Sequence, residues 1–503
     1  MQAPAAYGEI VRHVREEAVL ASCAALLGWD EDTSMPPAGA AHRAGQQAFL
    51  AGLLHDRATD PRLGDLLAAV EGTALVADPL APEAVNVRER RRAYDRCRRL
   101  PRALVAELAQ VTSLAQQAWA VAYRQSDWEP FRPWVDRVVA LKRHEAAALS
   151  PGGPAYDALL EEYEPGVTGH QVAALFAALR DELIDLAAAI GAARRRPDAS
   201  LLQRHFPLDR QRLFGEAVAA AVGFDFRRGR LDTSPHPFFT RVGPDDFRIT
   251  TRFNPQRFAD GFFGILHEVG HALYEQGLDP GQYGLPMGEA VSIGVHESQA
   301  RLWENTVGRR PAFWRHFFPR ARRVFPEALH DVCAEEFQAA VNHVAPSPVR
   351  ASADEVTYDL HVLVRFELEQ ALVAGDLRAA DVPAAWNEKY RRYLGVTPAT
   401  DAEGCLQDGH WGGGLIGYFP TYTLGNVFAA QLFARAAADL GGLDEAFARG
   451  RFDGLLGWLR DRVYRHGQRF QAPRLIEQAT GSPPDHRPLL AALRRKYGEL
   501  YDL

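Results

Sequence analysis

Apolar residues recur at three- and four-residue spacing along most of this chain. "GEIVRHVREEAVLASCAALLGW" and "HQVAALFAALRDELIDLAAAIGAARRR" are the clearest stretches, and that period predicts amphipathic helices. Pro and Gly signals in "LLEEYEPG", "GTAL" and "RRRPDAS" predict the stops. One region departs from the pattern. "SPHPFFTRVGPDDFRITTRFNP", Ser234 to Pro255, alternates Phe247, Ile249, Thr251 and Phe253 after a "VGPDD" turn, which predicts a small β-hairpin or meander. The fold class is therefore mainly α, with a small sheet just before the next helical run. An exposed strand edge there would offer an extended peptide main-chain hydrogen bonds. No fixed-period repeat and no low-complexity tract interrupts the helical reading.

That next run, "FFGILHEVGHALYEQG", carries polar groups inside an apolar helix. Burying them costs free energy unless partners compensate. His267 and His271 are four apart and share one helix face. Two neutral imidazoles so placed can bind one Zn²⁺. Glu268 projects about 100° round the helix, so it is placed to take a proton from an activated water, the HExxH arrangement. Small Gly270 and Ala272 would let another element approach closely. A catalytic zinc site needs a third protein ligand and an open position. "GEAVSIGVHESQARLWENTVGR", Gly288 to Arg309, reads as a return helix with three carboxylates in reach, Glu289, Glu297 and Glu304. Glu297 stands out through its neighbour His296, and Glu304, seven residues on, is placed to support a ligand from behind. No third histidine follows at metzincin spacing.

Composition narrows the function. With 503 residues, two or more cores or one large helical body are expected. A net charge of −7 gives no overall pull toward nucleic acid. The Arg-rich "RERRRAYDRCRRLPR", Arg88 to Arg102, reads as the solvated face of a helix, and "GAARRRP" as a helix C-terminus. Cys23, Cys97, Cys333 and Cys405 lie far apart without a CxxC pair, which fits free thiols in a reducing compartment. The N-terminal stretch lacks the pattern of a signal peptide, and no run reaches the ~18 apolar residues of a membrane span. A cytoplasmic protein with no membrane partner is the expectation.

With HEVGH and HESQ in view, the chain resembles the thermostable metallocarboxypeptidase family of the carboxypeptidase Taq type over nearly its whole length. "LLGWDEDTSMPPAG" is similar to the family's WDxxTxMP stretch, and "YDALLEEYEPG" also matches. Six signatures follow in order: HPF at His236–Phe238, DxRxT at Asp246, Arg248 and Thr250, HExxH at His267–His271, HESQ at His296–Gln299, IRxxAD as "VRASAD" from Val349, and GxxQDxHW as "GCLQDGHW" from Gly404. Val349 in place of Ile is the one departure.

The resemblance implies a large helical body similar to neurolysin and angiotensin-converting enzyme, with a deep substrate groove. It implies a homodimer, Zn²⁺ or Co²⁺ as cofactor, and removal of single C-terminal amino acids from peptides with broad specificity. The imidazole and carboxylate ligands would also accept Mn²⁺. By the same carry-over the metal ligands are His267, His271 and Glu297, and Glu268 is the general base. The expected organisation is one catalytic domain, 1–503. A helical part spans 1–200, a part with the β-segment and metal site spans 201–503, and the groove lies between two helical subdomains. Substrates would be peptides with a free terminal carboxylate, which an Arg fork suits. Arg350 is the candidate by resemblance, with an internal pair to Asp354 as its competing reading. His410 and Tyr422 are expected to contact the substrate backbone and assist the oxyanion, and Tyr418 to take either role. His236 and Arg248 are expected to shape the pocket. An oligopeptidase or dipeptidyl carboxypeptidase on the same scaffold is the nearest rival. A catalytically silent helical binding protein, using Arg88–Arg102 on RNA, is the remote one.

Overall fold

A computed structural model describes residues 2–503. The N-terminal periodic stretch folds as one helix, Ala3–Thr33, and the second as Gly169–Ala192, opened by a Thr168 capping box with Gln171. Among the described residues no helix is long and apolar enough to cross a membrane. The architecture is mainly helical, with one three-stranded sheet.

The hairpin forms as its alternation predicts. β2 (Phe239–Gly243) runs antiparallel to β3 (Asp246–Thr251), with Phe239 opposite Ile249. Phe247, Ile249 and Thr251 face the core. A third strand lies outside the predicted segment: β1 (Gly229–Thr233) pairs parallel with β3, giving the order β1-β3-β2. "GRLDT" buries only Leu231, and its Arg230 and Asp232 pair with each other. A strand that short and polar carries no period-two signal.

Buried apolar residues form two clusters. A small one joins Ala6, Ile10 and Val14 of the first helix to Leu63, Leu66, Leu67, Val87 and Tyr94. The large one runs from Val111 to Tyr501 and contains both metal-motif helices. The Arg-rich helix, Pro82–Arg99, ties the small cluster to the large one. Its side chains are not simply solvated, which corrects the expectation. Arg90 pairs with Glu17 and Arg91 with Glu71 on the N-terminal side, and Arg92 and Arg96 pair with Glu161 and Glu162. These four arginines hold carboxylates from other elements, while Arg98 and Arg99 at the helix end are exposed.

Candidate functional site

The HExxH helix, Phe258–Gly277, is buried on nearly every side. The HESQ segment forms a helix over Ile293–Arg301 that widens into a π turn over Leu302–Val307. The two cross at Gly270. A Cβ there would stand 2.4 Å from the Gln299 carbonyl oxygen and 2.5 Å from Ala300 Cα. A third helix, Pro420–Asp439, presses on the HESQ helix from another side. Its Gly425 leaves a Cβ only 2.7 Å from Glu297 Cβ and 3.1 Å from the Ser298 nitrogen. Glycine at both crossings lets the Glu297 backbone approach closely from two directions.

The result is a compact donor set. Among the described residues, His267, His271 and Glu297 form the one cluster of three whose ligand atoms all lie within 4.8 Å of one another. His267 Nε2 lies 3.9 Å from Glu297 Oε2, and His271 Nε2 lies 4.0 Å from Glu297 Oε1. Glu297 Oε2 is buried and has no hydrogen-bond partner. A buried carboxylate oxygen left unpaired is costly, and two imidazole nitrogens with one carboxylate are the donors a divalent ion takes. The residues fit a metal. Of the competing carboxylates, Glu289 lies outside this cluster, 3.6 Å from Arg241. Glu304, brought round by the π turn, meets His267 Nδ1 at 2.9 Å.

Electrostatics separates the roles further. Burial pushes the Glu268 carboxyl up to about 7, with Glu297 and Glu304 adding repulsion against the relief from His267. A carboxyl so placed exchanges protons near neutrality. Burial and the neighbouring His296 and His267 hold His271 well below the ordinary imidazole range, hence neutral and able to ligate. Burial alone would lower His267 too, but the bond it donates to Glu304 and the surrounding carboxylates raise it. Despite burial, the Arg301 charge and the His267 bond hold Glu304 down at about 2.

The second wall comes from residues 350–422. Arg350 does not pair with Asp354, which instead accepts from the Val356 and Thr357 amides. Its partner is Asp408, with Nη2 donating at 2.7 Å and Nε at 3.3 Å, while Nη1 donates to Tyr358 Oη at 2.9 Å. A guanidinium has five N–H donors, so two remain. Arg365 also binds Asp408, at 2.7 Å. Two guanidiniums against one carboxylate leave this wall net positive. His410 Nε2 lies 3.3 Å from Tyr422 Oη, and the Tyr418 ring lies 5.4 Å from that of Tyr422. Burial, opposed by Asp408 and helped by Arg350 and Arg365, lowers His410 to about 4, so it stands neutral. Burial keeps the Tyr422 hydroxyl protonated well above the ordinary range.

Tyr358 joins the two walls. The Arg301 guanidinium sits 4.1 Å from its ring centre, and the same Arg301 donates to Glu304 at 3.1 Å. Asp408, Tyr358, Arg301 and Arg365 are site residues that sequence reasoning did not single out. Asp408 lay inside a quoted signature, two residues before His410. Tyr358 gave no signal, since both its partners come from elsewhere in the chain.

Two candidates stand apart from this assembly. Arg248 spends its fork on Asp246, at 2.9 and 2.7 Å, and lies 4.2 Å from the Trp29 ring centre. It thus joins the DxRxT and WDxxTxMP stretches and fastens the first helix to the sheet. His236 is exposed, and its carbonyl accepts from the Ser234 hydroxyl. Neither side chain is bonded to the metal cluster or to the Arg350 wall. The HPF backbone is held by Thr250, whose hydroxyl accepts from the Phe238 amide at 3.0 Å.

Comparison with known proteins agrees along the full length. Residues 9–497 match the carboxypeptidase Taq (M32) metallopeptidase family. Thermostable carboxypeptidase 1 of Thermus thermophilus is 51% identical, with 100% of both chains covered. Carboxypeptidase 1 of Bacillus subtilis is 35% identical over 95% of each. The crystal structure of an M32 carboxypeptidase from Deinococcus radiodurans superposes with a TM-score of 0.96 at 44% identity, covering 99% of this chain and 100% of that one. With a donor set for a divalent metal built from HExxH and HESQ, the chain belongs to the carboxypeptidase Taq (M32) family and is a metal-dependent carboxypeptidase.

Proposed function

We propose that this enzyme removes amino acids singly from the C-termini of peptides of broad sequence, using Zn²⁺, with Co²⁺ or Mn²⁺ as workable substitutes. His267, His271 and Glu297 hold the metal, which when bound supplies Lewis-acid polarisation of the scissile carbonyl and of the attacking water. Glu268 accepts the proton of that water and returns it to the leaving amine. The Tyr422 hydroxyl donates to the carbonyl oxygen as negative charge develops there, and His410 orients it and meets the substrate backbone. Arg350 takes the terminal carboxylate with its two unused N–H groups, while Tyr418 closes the wall beside it.

The observation that carries the exopeptidase reading is the unbalanced Arg350–Asp408–Arg365 group, a net cation connected through Tyr358 to the metal ligands' own partners. A free terminal carboxylate complements it, and an internal peptide segment does not. We read the chain as one catalytic unit, its groove between the helical subdomains. Four free cysteines fit a cytoplasmic setting, and a homodimer follows from the resemblance.

Replacement of Arg350 tests this directly. Arg350→Ala should leave metal content unchanged and lower kcat/KM on free-acid peptides by about 100-fold or more, the effect of losing a charge-assisted anchor. Equal hydrolysis of amidated and free-acid peptides by the unmodified enzyme would remove the exopeptidase reading.

A further inference from the structure

The two imidazoles of the cluster are backed differently. His267 Nδ1 meets a carboxylate directly, Glu304 at 2.9 Å. His271 Nδ1 meets another imidazole, lying 2.5 Å from His296 Nδ1 and 3.1 Å from the His296 carbonyl oxygen. The far side of His296 continues the chain, with its Nε2 3.1 Å from Glu275 Oε1. Arg241 on β2 then donates to Glu275 Oε2 at 2.9 Å and to the Gly288 carbonyl at 3.0 Å. Glu275 stands on the HExxH helix four residues after His271, on the same face, and is buried.

The ends of this chain fix the protons within it. Arg241 can only donate and ionised Glu275 can only accept. The His296 Nε2–H therefore donates to Glu275, which holds the ring from its far side. The His296 carbonyl can only accept, so the His271 Nδ1–H donates to it at 3.1 Å, which leaves the lone pair of His271 on Nε2, facing Glu297. That is the tautomer a metal needs, and partners behind a ligating imidazole are what set it. A buried ion pair such as Arg241–Glu275 contributes little net stability by itself, so its placement here calls for another role.

We propose that Glu275 is a positioning residue for metal binding: acting through His296, it holds His271 in the Nε2-ligating tautomer, with Arg241 holding Glu275 to the sheet. This rests on the reading of His271 as a ligand. It also makes β2 part of the metal's support, since Arg241 and Phe239, whose ring lies 5.8 Å from that of His296, both stand on that strand.

The test uses the full-length enzyme with Zn²⁺ affinity measured by chelator competition, together with the visible absorption of the Co²⁺-loaded protein. Glu275→Ala should weaken Zn²⁺ binding by about 10- to 100-fold and shift the Co²⁺ d–d bands. Glu275→Gln keeps an oxygen for His296 to donate to, so it should lose several-fold less than the alanine variant and shift the bands less. If Glu275→Ala fails to fold, the glutamine variant carries the test through a smaller loss and a smaller shift. Unchanged affinity and bands would overturn the proposal. So would a fall in affinity that tracks a lowered Tm with unmoved bands and no rescue by glutamine, since that pattern marks a merely structural residue. Retention of full metal affinity by His271→Ala would instead refute the ligand reading, a separate failure.

Discussion

Glu297 and Glu268 are both carboxylates at 5% exposure, yet their surroundings give them different work. Glu297 has a buried oxygen, Oε2, without a hydrogen-bond partner, and its two carboxylate oxygens face one imidazole nitrogen each. Glu268 lies outside that cluster of ligand atoms, and burial raises its carboxyl to about 7. Glu268→Gln is expected to retain stoichiometric metal, measured by elemental analysis, while kcat falls by about 10²–10⁴, the range for losing a general base. An active glutamine variant would remove Glu268 from that role. These residues were legible because HExxH and HESQ each place their chemistry within five consecutive positions. Asp408 was not legible as the partner of Arg350, because the two stand 58 positions apart and meet only when the chain folds back. The sequence offered the nearer Asp354 instead, and the turn before the helix Tyr358–Ala374 claims that carboxylate.

At the scale of elements, the HESQ helix is gripped between Gly270 and Gly425. Glycine to alanine inside a helix ordinarily stabilises by about 0.5–1 kcal/mol. Here the sign should reverse. Gly425→Ala sets a methyl against Glu297 Cβ and the Ser298 backbone, and overpacking of this kind costs about 1–3 kcal/mol. A lower Tm and weaker Zn²⁺ binding are expected together, because the atom displaced belongs to a residue proposed as a metal ligand. A stabilised variant with unchanged metal affinity would show that the crossing does not position Glu297. The sequence marked Gly270 as a point of close approach and gave no notice of Gly425. It announced the hairpin through β3's alternation, whereas β1 joins the sheet by backbone pairing that its charged side chains conceal.

Across the whole molecule, the first third of the chain reaches the metal helix through "EYEPG". The Glu164 carboxylate accepts from the Ser292 hydroxyl and the Gly294 amide, each at 2.9 Å, and the Tyr163 carbonyl accepts from the Ile293 amide at 3.0 Å. Burial raises Glu164 to about 7 against those bonds. An unfolded glutamate ionises near 4.5, so between these values the folded chain holds a proton that the unfolded chain releases. This contribution to stability is complete below about pH 4.5 and is lost as pH rises through about 7. Denaturation of the parent and Glu164→Gln at pH 5 and pH 8 should show the parent's stability relative to the variant falling by roughly 2 kcal/mol; a pH-independent difference would contradict it. The length allowed for two apolar cores and the signature stretches made the helical class and family legible, but not which segments join each core or the fastening of the Arg-rich helix, which depend on long-range partners.

The proposed function has a terminal carboxylate read beside a metal site and one residue released at each turnover. Mass-spectrometric analysis of products from a single long peptide, as free acid and as C-terminal amide, with and without chelator, tests it most directly. The expected result is a ladder of species, each shorter by one C-terminal residue, from the free acid alone and abolished by the chelator. Release of dipeptides or internal fragments, or an equal ladder from the amide, would contradict it.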